Sequence, residues 1–326
     1  MVLVTGGAGY IGAHACKVLK AAGFLPVTYD SLVTGWEEAV KFGPFEQGDL
    51  MDRVRLDAVF AKWKPVAVMH FAALSQVGEA MREPGKYWRG NVAASLSLIE
   101  ATAAAGVEHF VFSSTCATYG DHDGVTLDED TPQHPINSYG ASKRAIEDML
   151  RDFGAAYGLS SVIFRYFNVA GADPEAEVGE RHEPETHLIP LMLDAVAGKR
   201  PALSVFGTDY PTPDGTCIRD YVHVMDLVEA HVLGLRHLQA GRVAPGTARV
   251  FCLGTGRGFS VREVIEASRA VTNREVPVVY ADRRAGDAVK LVSGSGRARD
   301  ELGWEPRRSS MEQMIGDAWR WHNRAV

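Results

Sequence analysis

Three residues near the middle of the chain have the types and the spacing of a proton-transfer site. Thr115 is the last of the hydroxyl residues that end the predicted strand 110–115, and Tyr139 and Lys143 follow it, four residues apart from each other. If a helix begins near Ser138, these two residues share one face, which brings the phenol and the ammonium close together. A nearby positive charge favours the phenolate and lowers a pKa that is about 10 in an unperturbed tyrosine. Tyr139 could then act as a base near neutral pH. A chance pair on the surface is the alternative.

A glycine-rich turn at the start of the chain predicts a site for a phosphate-containing group. Residues 2–5 are β-prone, and Gly6, Gly9 and Gly12 then follow at intervals of three, before a stretch of helical character. A strand, a tight turn and a helix N-terminus together present unpaired N–H groups and the positive end of a helix dipole. The spacing is a variant of the G-x-G-x-x-G dinucleotide fingerprint. An ordinary turn is the alternative interpretation of the glycines.

An acidic residue about 20 positions beyond the glycines supports the dinucleotide interpretation. Asp30 ends the next β-prone run, 27–30. A carboxylate there would accept the ribose hydroxyls of NAD and repel the extra phosphate of NADP. A helix-capping aspartate is the alternative, since aspartate is common at that position. Together with the glycine turn, Asp30 favours a site for NAD.

Strands and helices alternate through the first half of the chain, which predicts a parallel, doubly wound α/β sheet of the Rossmann type. The run 67–73 is apolar without alternation, as in a strand that is buried on both faces, and 110–115 is predicted to be another buried strand, which ends in hydroxyls. Ligands of such sheets bind beyond the carboxyl ends of the strands. Four residues fall at predicted strand ends: Gly6, Asp30, Ala72 and Thr115. We therefore expect one site to collect them.

The polar, turn-rich segment that begins at Gly171 predicts a domain boundary. We predict an NAD-binding domain over 1–170 and a smaller, mixed α/β substrate domain over 171–326, with some segments returning to the first domain. In the second half, Asp226 is predicted to cap a helix.

Two histidines near the predicted boundary resemble metal ligands at first sight. His182 and His187 are five residues apart with a proline between them, so they are not expected to share a helical face. We predict a loop near the substrate and no metal site.

Composition excludes some classes of protein. The 326 residues carry a net charge of −7, which argues against a general nucleic-acid binder because phosphates need a basic excess. The four cysteines are scattered without a C-x-x-C pair, as in proteins of reducing compartments. The chain starts directly on a predicted strand and has no long apolar run, so neither a signal peptide nor a membrane segment is expected. The predicted location is cytoplasmic.

Five motifs together resemble the extended short-chain dehydrogenase/reductases. They are TGGAGYIG (5–12), FSST (112–115), YGASK (139–143), RYFN (165–168) and RDYVHV (219–224). Within that family, FGTDYPT (206–212), DGT (214–216) and RDY (219–221) are similar to the UDP-glucose (UDP-galactose) 4-epimerases. The resemblance covers essentially the whole chain and implies a homodimer, through the helices near 91–105 and 139–157.

The resemblance implies a role for each matched position. Tyr139 would be the base, Lys143 would bind the nicotinamide ribose and activate the tyrosine, and Thr115, where the family usually has serine, would bind the reacting sugar oxygen. The positions implied for the cofactor are Gly6, Gly9, Tyr10, Ile11, Gly12, Asp30, Ser31, Asp49, Leu50, Phe71, Ala72, Ala73, Asn91, Ser113, Tyr139, Lys143, Tyr166 and Phe167. Those implied for the UDP-sugar are Thr115, Tyr139, Asn168, His187, Leu188, Ser204, Phe206, Arg219, Tyr221, Arg284, Asp287 and Leu291.

The implied reaction is the interconversion of UDP-galactose and UDP-glucose through a 4-keto sugar, with a tightly bound NAD that is recycled. Three positions depart from the family pattern. Ser75 stands where some members have a lysine near the cofactor phosphates, and His187 where an asparagine often meets the nucleotide. Leu291 stands where members restricted to unmodified hexoses often have tyrosine, so UDP-N-acetylhexosamines or UDP-xylose are possible further substrates.

Other functions remain as alternatives. A nucleotide-sugar dehydratase begins with the same oxidation but needs acid–base groups just after the strand-end hydroxyl, where this chain has Cys116 and Ala117. A decarboxylase is disfavoured because its usual acid in this neighbourhood is also absent from the sequence. A non-enzymatic NAD(P)-sensing module would keep the glycine turn but would not need Thr115, Tyr139 and Lys143 together.

Overall fold

The computed structural model describes residues 1–122, 125–284, 287–294 and 296–324. Its first half runs through β1 (Val2–Thr5), α1 (Tyr10–Ala21), β2 (Pro26–Asp30), β3 (Phe45–Gln47), α2 (Arg53–Trp63), β4 (Ala67–His70), α3 (Val77–Arg82), α4 (Pro84–Tyr87), α5 (Ala94–Ala104), β5 (His109–Ser113), α6 (Ser138–Tyr157) and β6 (Ser160–Tyr166). The second half runs through β7 (Asn168–Ala170), α7 (Leu188–Val196), β8 (Leu203–Phe206), β9 (Ile218–His223), α8 (Val224–Gln239), β10 (Ala248–Leu253), β11 (Gly258–Ser260), α9 (Val261–Thr272), β12 (Val278–Ala281), β13 (Lys290–Leu291), α10 (Arg297–Leu302) and α11 (Met311–His322). Judged by length and hydropathy, every helix in these ranges falls short of what a bilayer-spanning segment needs.

Seven parallel strands form the main sheet, in the order β10-β6-β5-β4-β1-β2-β3. The chain winds outward from β1 in one direction through β2 and β3, and in the other through β4, β5 and β6. This reversal of strand order at β1 is that of a doubly wound, Rossmann-type sheet. The α/β fold class predicted from the sequence is confirmed. Strand β10, from the second half of the chain, pairs with β6 at one edge of this sheet.

Both faces of the main sheet are buried because successive residues of a strand point to opposite sides. Val2 and Val4 join one hydrophobic core, which α1 and α8 cover, whereas Leu3 joins the other, which α2, α5 and α6 cover. On β5, Val111 and Phe112 divide between the same two cores. Since all seven strands run the same way, their carboxyl ends open at one edge of the sheet.

A smaller region is built around β9, which pairs with β7 and β13 in parallel and with β11 in the antiparallel direction. Strands β8 and β12 form a separate parallel pair. Helices α7, α9 and α11 pack around a third hydrophobic core in this region. Because β7 follows β6 almost directly, the chain passes from the main sheet into the smaller region with only Phe167 between the two strands.

Some local predictions were wrong. Helix α8 begins at Val224, and its N-cap is His223, whose Nδ1 accepts a hydrogen bond from the backbone N–H of Met225 at 3.0 Å. Asp226 lies inside the first turn, fully buried, and its carboxylate accepts a hydrogen bond from the hydroxyl of Ser309 at 2.7 Å. The helix predicted over 91–105 starts with the π-helical turn Trp88–Ala93.

A buried ion pair holds α6, the helix that carries Tyr139 and Lys143, against the sheet. Glu147 on α6 is completely buried, and its carboxylate accepts hydrogen bonds from Arg165 on β6, with Nη2 at 2.6 Å. The same carboxylate accepts a hydrogen bond from the hydroxyl of Ser114, just beyond β5, at 2.6 Å. The pair therefore ties α6 to two neighbouring strands.

We expect Arg165→Met to lower the free energy of unfolding by about 3–5 kcal/mol, because it leaves the charge of Glu147 buried without its partner. Urea denaturation followed by tryptophan fluorescence measures the change. Arg151→Met is the matched control: the Nη2 of Arg151 contacts the same carboxylate at 3.3 Å, but this side chain is 40% exposed. Its removal should cost less than about 1 kcal/mol. Equal losses in the two variants would contradict the role given to Arg165.

Candidate active site

A cavity of about 740 Å³ lies beyond the carboxyl ends of β1, β2, β4 and β5. This volume is within the range of small-molecule sites, about 300–1,000 Å³. The lining brings together the four residues that the sequence places at strand ends: Gly6, Asp30, Ala72 and Thr115. It also includes residues of the smaller region, among them Tyr221 and Leu291.

The glycine turn at the N-terminus of α1 leaves no room for a side chain at Gly6 or Gly12. Gly6 has a positive φ of 74°, and a Cβ on it would stand 2.5 Å from the backbone nitrogen of Ala72. A Cβ on Gly12 would meet the carbonyl oxygen of Gly6. Asp30 accepts hydrogen bonds from the backbone N–H groups of Ala8 at 3.0 Å and Leu32 at 2.9 Å, which fixes its carboxylate against the turn. A bare turn at a helix N-terminus beside a fixed carboxylate fits the pyrophosphate and ribose of NAD.

Tyr139 and Lys143 lie one turn apart near the start of α6, and both line the cavity with Thr115. The Nζ of Lys143 donates a hydrogen bond to the carbonyl oxygen of Ser113 at 2.8 Å and lies 4.9 Å from the centre of the Phe112 ring. Burial lowers the pKa of Lys143 to about 7, although the charge of Glu147 acts in the opposite direction. With a pKa of about 7, Lys143 is present in both its charged and its neutral form at neutral pH.

Burial raises the pKa of Tyr139 above its ordinary value, and the neighbouring phenol of Tyr166 raises it further. A hydrogen bond with Thr115 lowers it, but by less. The lowered pKa expected from the spacing of Tyr139 and Lys143 is therefore not found in the chain by itself, because loss of solvation outweighs the favourable contacts. The phenol stays protonated at neutral pH unless a bound group brings positive charge.

Most residues predicted for the cofactor line the cavity. They are Gly6, Gly9, Tyr10, Ile11, Gly12, Asp30, Ser31, Asp49, Leu50, Phe71, Ala72, Ala73, Tyr139, Lys143, Tyr166 and Phe167. Asn91 and Ser113 lie outside the lining. The side-chain amide of Asn91 accepts from the backbone N–H of Leu74 at 2.8 Å and donates to its carbonyl at 3.0 Å, so it holds the segment after β4. The hydroxyl of Ser113 contacts that of Tyr166 at 2.8 Å.

The residues predicted for the substrate divide into two groups. Those that line the cavity are Thr115, Tyr139, Asn168, His187, Leu188, Tyr221 and Leu291. Those outside its lining are Ser204, Phe206, Arg219, Arg284 and Asp287. Arg219 is the strand partner of Leu291, which places it beside the cavity. The guanidinium of Arg284 lies 4.8 Å from the centre of the Phe206 ring, and its Nε donates to Asp287 at 2.9 Å.

Sequence reasoning missed two cationic residues of the lining, Lys86 and Arg89. They share the cavity with Ser75, which stands where some relatives carry a lysine. Their positions depend on how α4 and the π-helical turn fold over the cavity, and neither falls at a predicted strand end. Glu180 and His182 also line the cavity. Cys116 and Ala117 do so next to Thr115.

Comparison with known proteins identifies the family. The family described as the NAD dependent epimerase/dehydratase family matches residues 2–247. The chain belongs to this family. The resemblance predicted from the sequence is confirmed, as is the prediction of an NAD-dependent enzyme.

Similar proteins extend over the full length of the chain. A UDP-glucose 4-epimerase of Rhizobium meliloti (strain 1021) is 50% identical over 323 residues, 99% of this chain and 97% of the relative. The structure of UDP-glucose 4-epimerase from Brucella ovis in complex with NAD superposes with a TM-score of 0.94 at 46% identity, covering 98% of both chains. The UDP-glucose-4-epimerase from Stenotrophomonas maltophila, with bound NAD and formylated UDP-arabinopyranose, has a TM-score of 0.93 at 38% identity and covers 98% of this chain and 97% of its own.

We expect Gly12→Ala to bind NAD at least about ten-fold more weakly, a loss of about 1.4 kcal/mol or more, because the added Cβ forces the turn to open. The NAD released from equal amounts of denatured protein measures retention, and titration of stripped protein measures affinity. Gly316→Ala is the control, since a Cβ there meets only Val271 Cγ1, at 3.9 Å. Unchanged NAD affinity in Gly12→Ala would refute the role of the turn.

Proposed function

We propose that this chain is a UDP-glucose 4-epimerase, which interconverts UDP-galactose and UDP-glucose. The observation that carries the proposal is the shared cavity, in which Tyr139, Lys143 and Thr115 lie beside the glycine turn and the carboxyl edge of the sheet. The full-length similarity to enzymes of that name supports it. The three side chains supply a phenol that can accept a proton, an amine beside it and a hydroxyl, which are groups that oxidation of a sugar alcohol uses.

In the proposed reaction Thr115 hydrogen-bonds the oxygen at C4 of the hexose and directs it towards Tyr139. Tyr139 takes the hydroxyl proton as the C4 carbon is oxidised. It returns a proton to the oxygen after the 4-keto sugar has rotated in the cavity to present its opposite face. Bound NAD supplies the hydride acceptor and donor and the positive charge that lowers the pKa of Tyr139. Lys143 binds the nicotinamide ribose from its position beside the carbonyl of Ser113.

The proposed binding groups divide between the two predicted domains, 1–170 and 171–326. We assign NAD to the glycine turn, Asp30 and the other cofactor residues named above. We assign the sugar to Thr115, Tyr139 and Leu291. We assign the uridine diphosphate chiefly to Asn168 and Arg219, and also to Arg284 and Asp287, which lie outside the cavity lining. Because NADH is reoxidised within each catalytic cycle, we expect NAD to stay bound through many turnovers.

The structure adds a reason against a dehydratase. Cys116 and Ala117, next to Thr115 in the cavity, carry no carboxyl group, and burial raises the pKa of the Cys116 thiol to about 12. A thiol with that pKa neither donates nor accepts a proton readily at neutral pH. A non-enzymatic NAD-binding module is the second alternative, and NAD binding without turnover of any UDP-sugar would favour it.

We place the reaction in the cytoplasm and in galactose metabolism. The four cysteines, all buried and unpaired, agree with a reducing compartment. Loss of growth on galactose in a strain without the gene would test the metabolic role. We also propose a homodimer, formed by the π-helical turn with α5 and by α6, and sedimentation of the purified protein tests it.

We expect Tyr139→Phe to lower turnover by at least about 10²-fold, because the variant has no group to move the C4 proton. The assay is conversion of UDP-galactose to UDP-glucose by purified protein with no NAD added. Tyr280→Phe is the control, because this residue is 57% exposed and lies outside the cavity lining. Bound NAD should be equal in the two variants. Near-normal turnover in Tyr139→Phe would refute the mechanism.

We expect the parent protein to accept UDP-N-acetylglucosamine, since Leu291 leaves more space in the cavity than the tyrosine of hexose-restricted relatives. Leu291→Tyr should lower kcat/KM for this substrate by at least about ten-fold while changing that for UDP-glucose little. Leu291→Met, which conserves volume, should keep both activities. Turnover of purified enzyme with UDP-glucose, UDP-N-acetylglucosamine and UDP-xylose gives the comparison. A parent protein that accepts unmodified hexoses only would overturn this substrate range.

A further inference from the structure

Four side chains that precede α7 bring nitrogen and oxygen atoms together at the wall of the cavity. They are Glu180, His182, Glu185 and His187, and one ligand-capable atom from each lies within 4.8 Å of the others. We propose that this 180–187 loop binds one divalent metal ion, Zn²⁺, through the two imidazoles and one oxygen of each carboxylate. The proposal goes beyond the epimerase reaction and does not depend on it.

The distances between these atoms suit a tetrahedral zinc site. The Nδ1 of His187 lies 2.8 Å from Glu180 Oε1 and 3.1 Å from Glu185 Oε1. The Nδ1 of His182 lies 3.3 Å from Glu180 Oε1 and 3.5 Å from Glu185 Oε2. Zinc binds imidazole nitrogen and carboxylate oxygen at about 2.0–2.2 Å, which sets neighbouring ligand atoms about 3.3–3.6 Å apart in a tetrahedron. Two of the four nitrogen–oxygen distances fall within that range and two are shorter, and no two ligand atoms of the group are more than 4.8 Å apart.

Hydrogen bonding among the described residues leaves one atom of the group unsatisfied. The Nδ1 of His182 is buried and makes no hydrogen bond within the part of the chain that the structure describes, although two carboxylates stand close to it. A buried ring nitrogen without such a bond costs free energy unless it gains a partner. A metal ion among the four side chains would supply that partner.

Charge also favours a cation at this place. The side chains of Glu180 and Glu185 are only 8% and 13% exposed, and they approach the same two imidazoles. Two carboxylates so close together require positive charge. One divalent ion with two neutral imidazoles would balance them.

A second acidic group in the same region already has its cation. Asp173, Glu175 and Glu177 converge on the ammonium of Lys17, with distances of 2.6–2.8 Å. These three carboxylates carry no imidazole among them. The 180–187 loop differs because it combines two imidazoles with two carboxylates, a ligand set that suits zinc better than magnesium or calcium.

Four protein ligands would close the coordination shell, as in structural rather than catalytic zinc sites. The ion would therefore fix the shape of the loop and leave the oxidation to other residues. His187 precedes the first residue of α7, and Glu180, His182 and His187 line the cavity. A fixed loop would hold this part of the cavity wall in place.

The test is metal binding by the full-length protein after treatment with a chelator, with Zn²⁺ and the spectroscopic probe Co²⁺. We expect one equivalent of either ion to bind, with the visible absorption of tetrahedral Co²⁺ and a rise in Tm as the ion is added. His182→Gln and Glu185→Gln should each bind Co²⁺ at least about ten-fold more weakly. Mutation of a residue that only hydrogen-bonds to a metal ligand already lowers metal affinity by about ten-fold, and loss of a ligand should lower it by at least as much. Circular dichroism in the far ultraviolet reports whether the variants are folded.

His134→Gln is the matched control, because His134 and His122 form another histidine pair, with ring centroids 6.4 Å apart. Its Co²⁺ affinity should equal that of the parent. Three outcomes would overturn the proposal: no binding by the parent protein, an octahedral Co²⁺ spectrum, or unchanged affinity in both His182→Gln and Glu185→Gln. In the first case, contacts between the histidines and the carboxylates would hold the 180–187 loop in place without a metal ion.

Discussion

Glu147 and Arg165 meet in the interior between α6 and β6, where neither charge reaches water. Each would be costly to bury alone, so the helix and the strand can pack in this position only if the two side chains meet. The hydroxyl of Ser114 joins the same carboxylate and brings in the end of β5. The position of α6 relative to these strands decides where Tyr139 points. The site therefore depends on a contact two turns farther along the helix from Tyr139.

Burial at the carboxyl edge of the sheet disfavours the charged forms of Tyr139 and Lys143. The pKa of Lys143 falls to about 7 and that of Tyr139 rises, both chiefly because water is excluded. In the protein alone the phenol is therefore a poor base. If the proposed function is correct, proton abstraction has to wait for charge that arrives with the cofactor. A cofactor that stayed bound through many turnovers would keep Tyr139 in its active state, which is consistent with an epimerase.

The features predicted correctly from the sequence are those with a local cause. Apolar runs bounded by turns predict buried parallel strands, and the spacing of Tyr139 and Lys143 agrees with a helix that begins near Ser138, where α6 starts. Asp226 was misassigned because its partner, Ser309, lies 83 residues away in the chain. Lys86 and Arg89 were missed because their approach to the cavity depends on tertiary folding. The four side chains of the 180–187 loop lie close together because a folded loop can bring side chains together without a shared helical face, so their proximity did not follow from the sequence.

The residues that we assign to the sugar and those that we assign to the diphosphate differ in how firmly the rest of the protein holds them. Of the residues that we assign to the sugar, Thr115 lies just beyond the end of β5 and Leu291 lies in β13, so packed strands hold both of them. Where we place the diphosphate, Arg284 is 57% exposed and pairs with Asp287 only three residues away. An exposed ion pair is worth less than about 1 kcal/mol, whereas a guanidinium and a phosphate can form a bidentate pair. Exchanging the first contact for the second therefore costs little. The guanidinium can therefore form its contact with the diphosphate as the nucleotide binds, while the preformed cavity leaves space for the sugar to rotate.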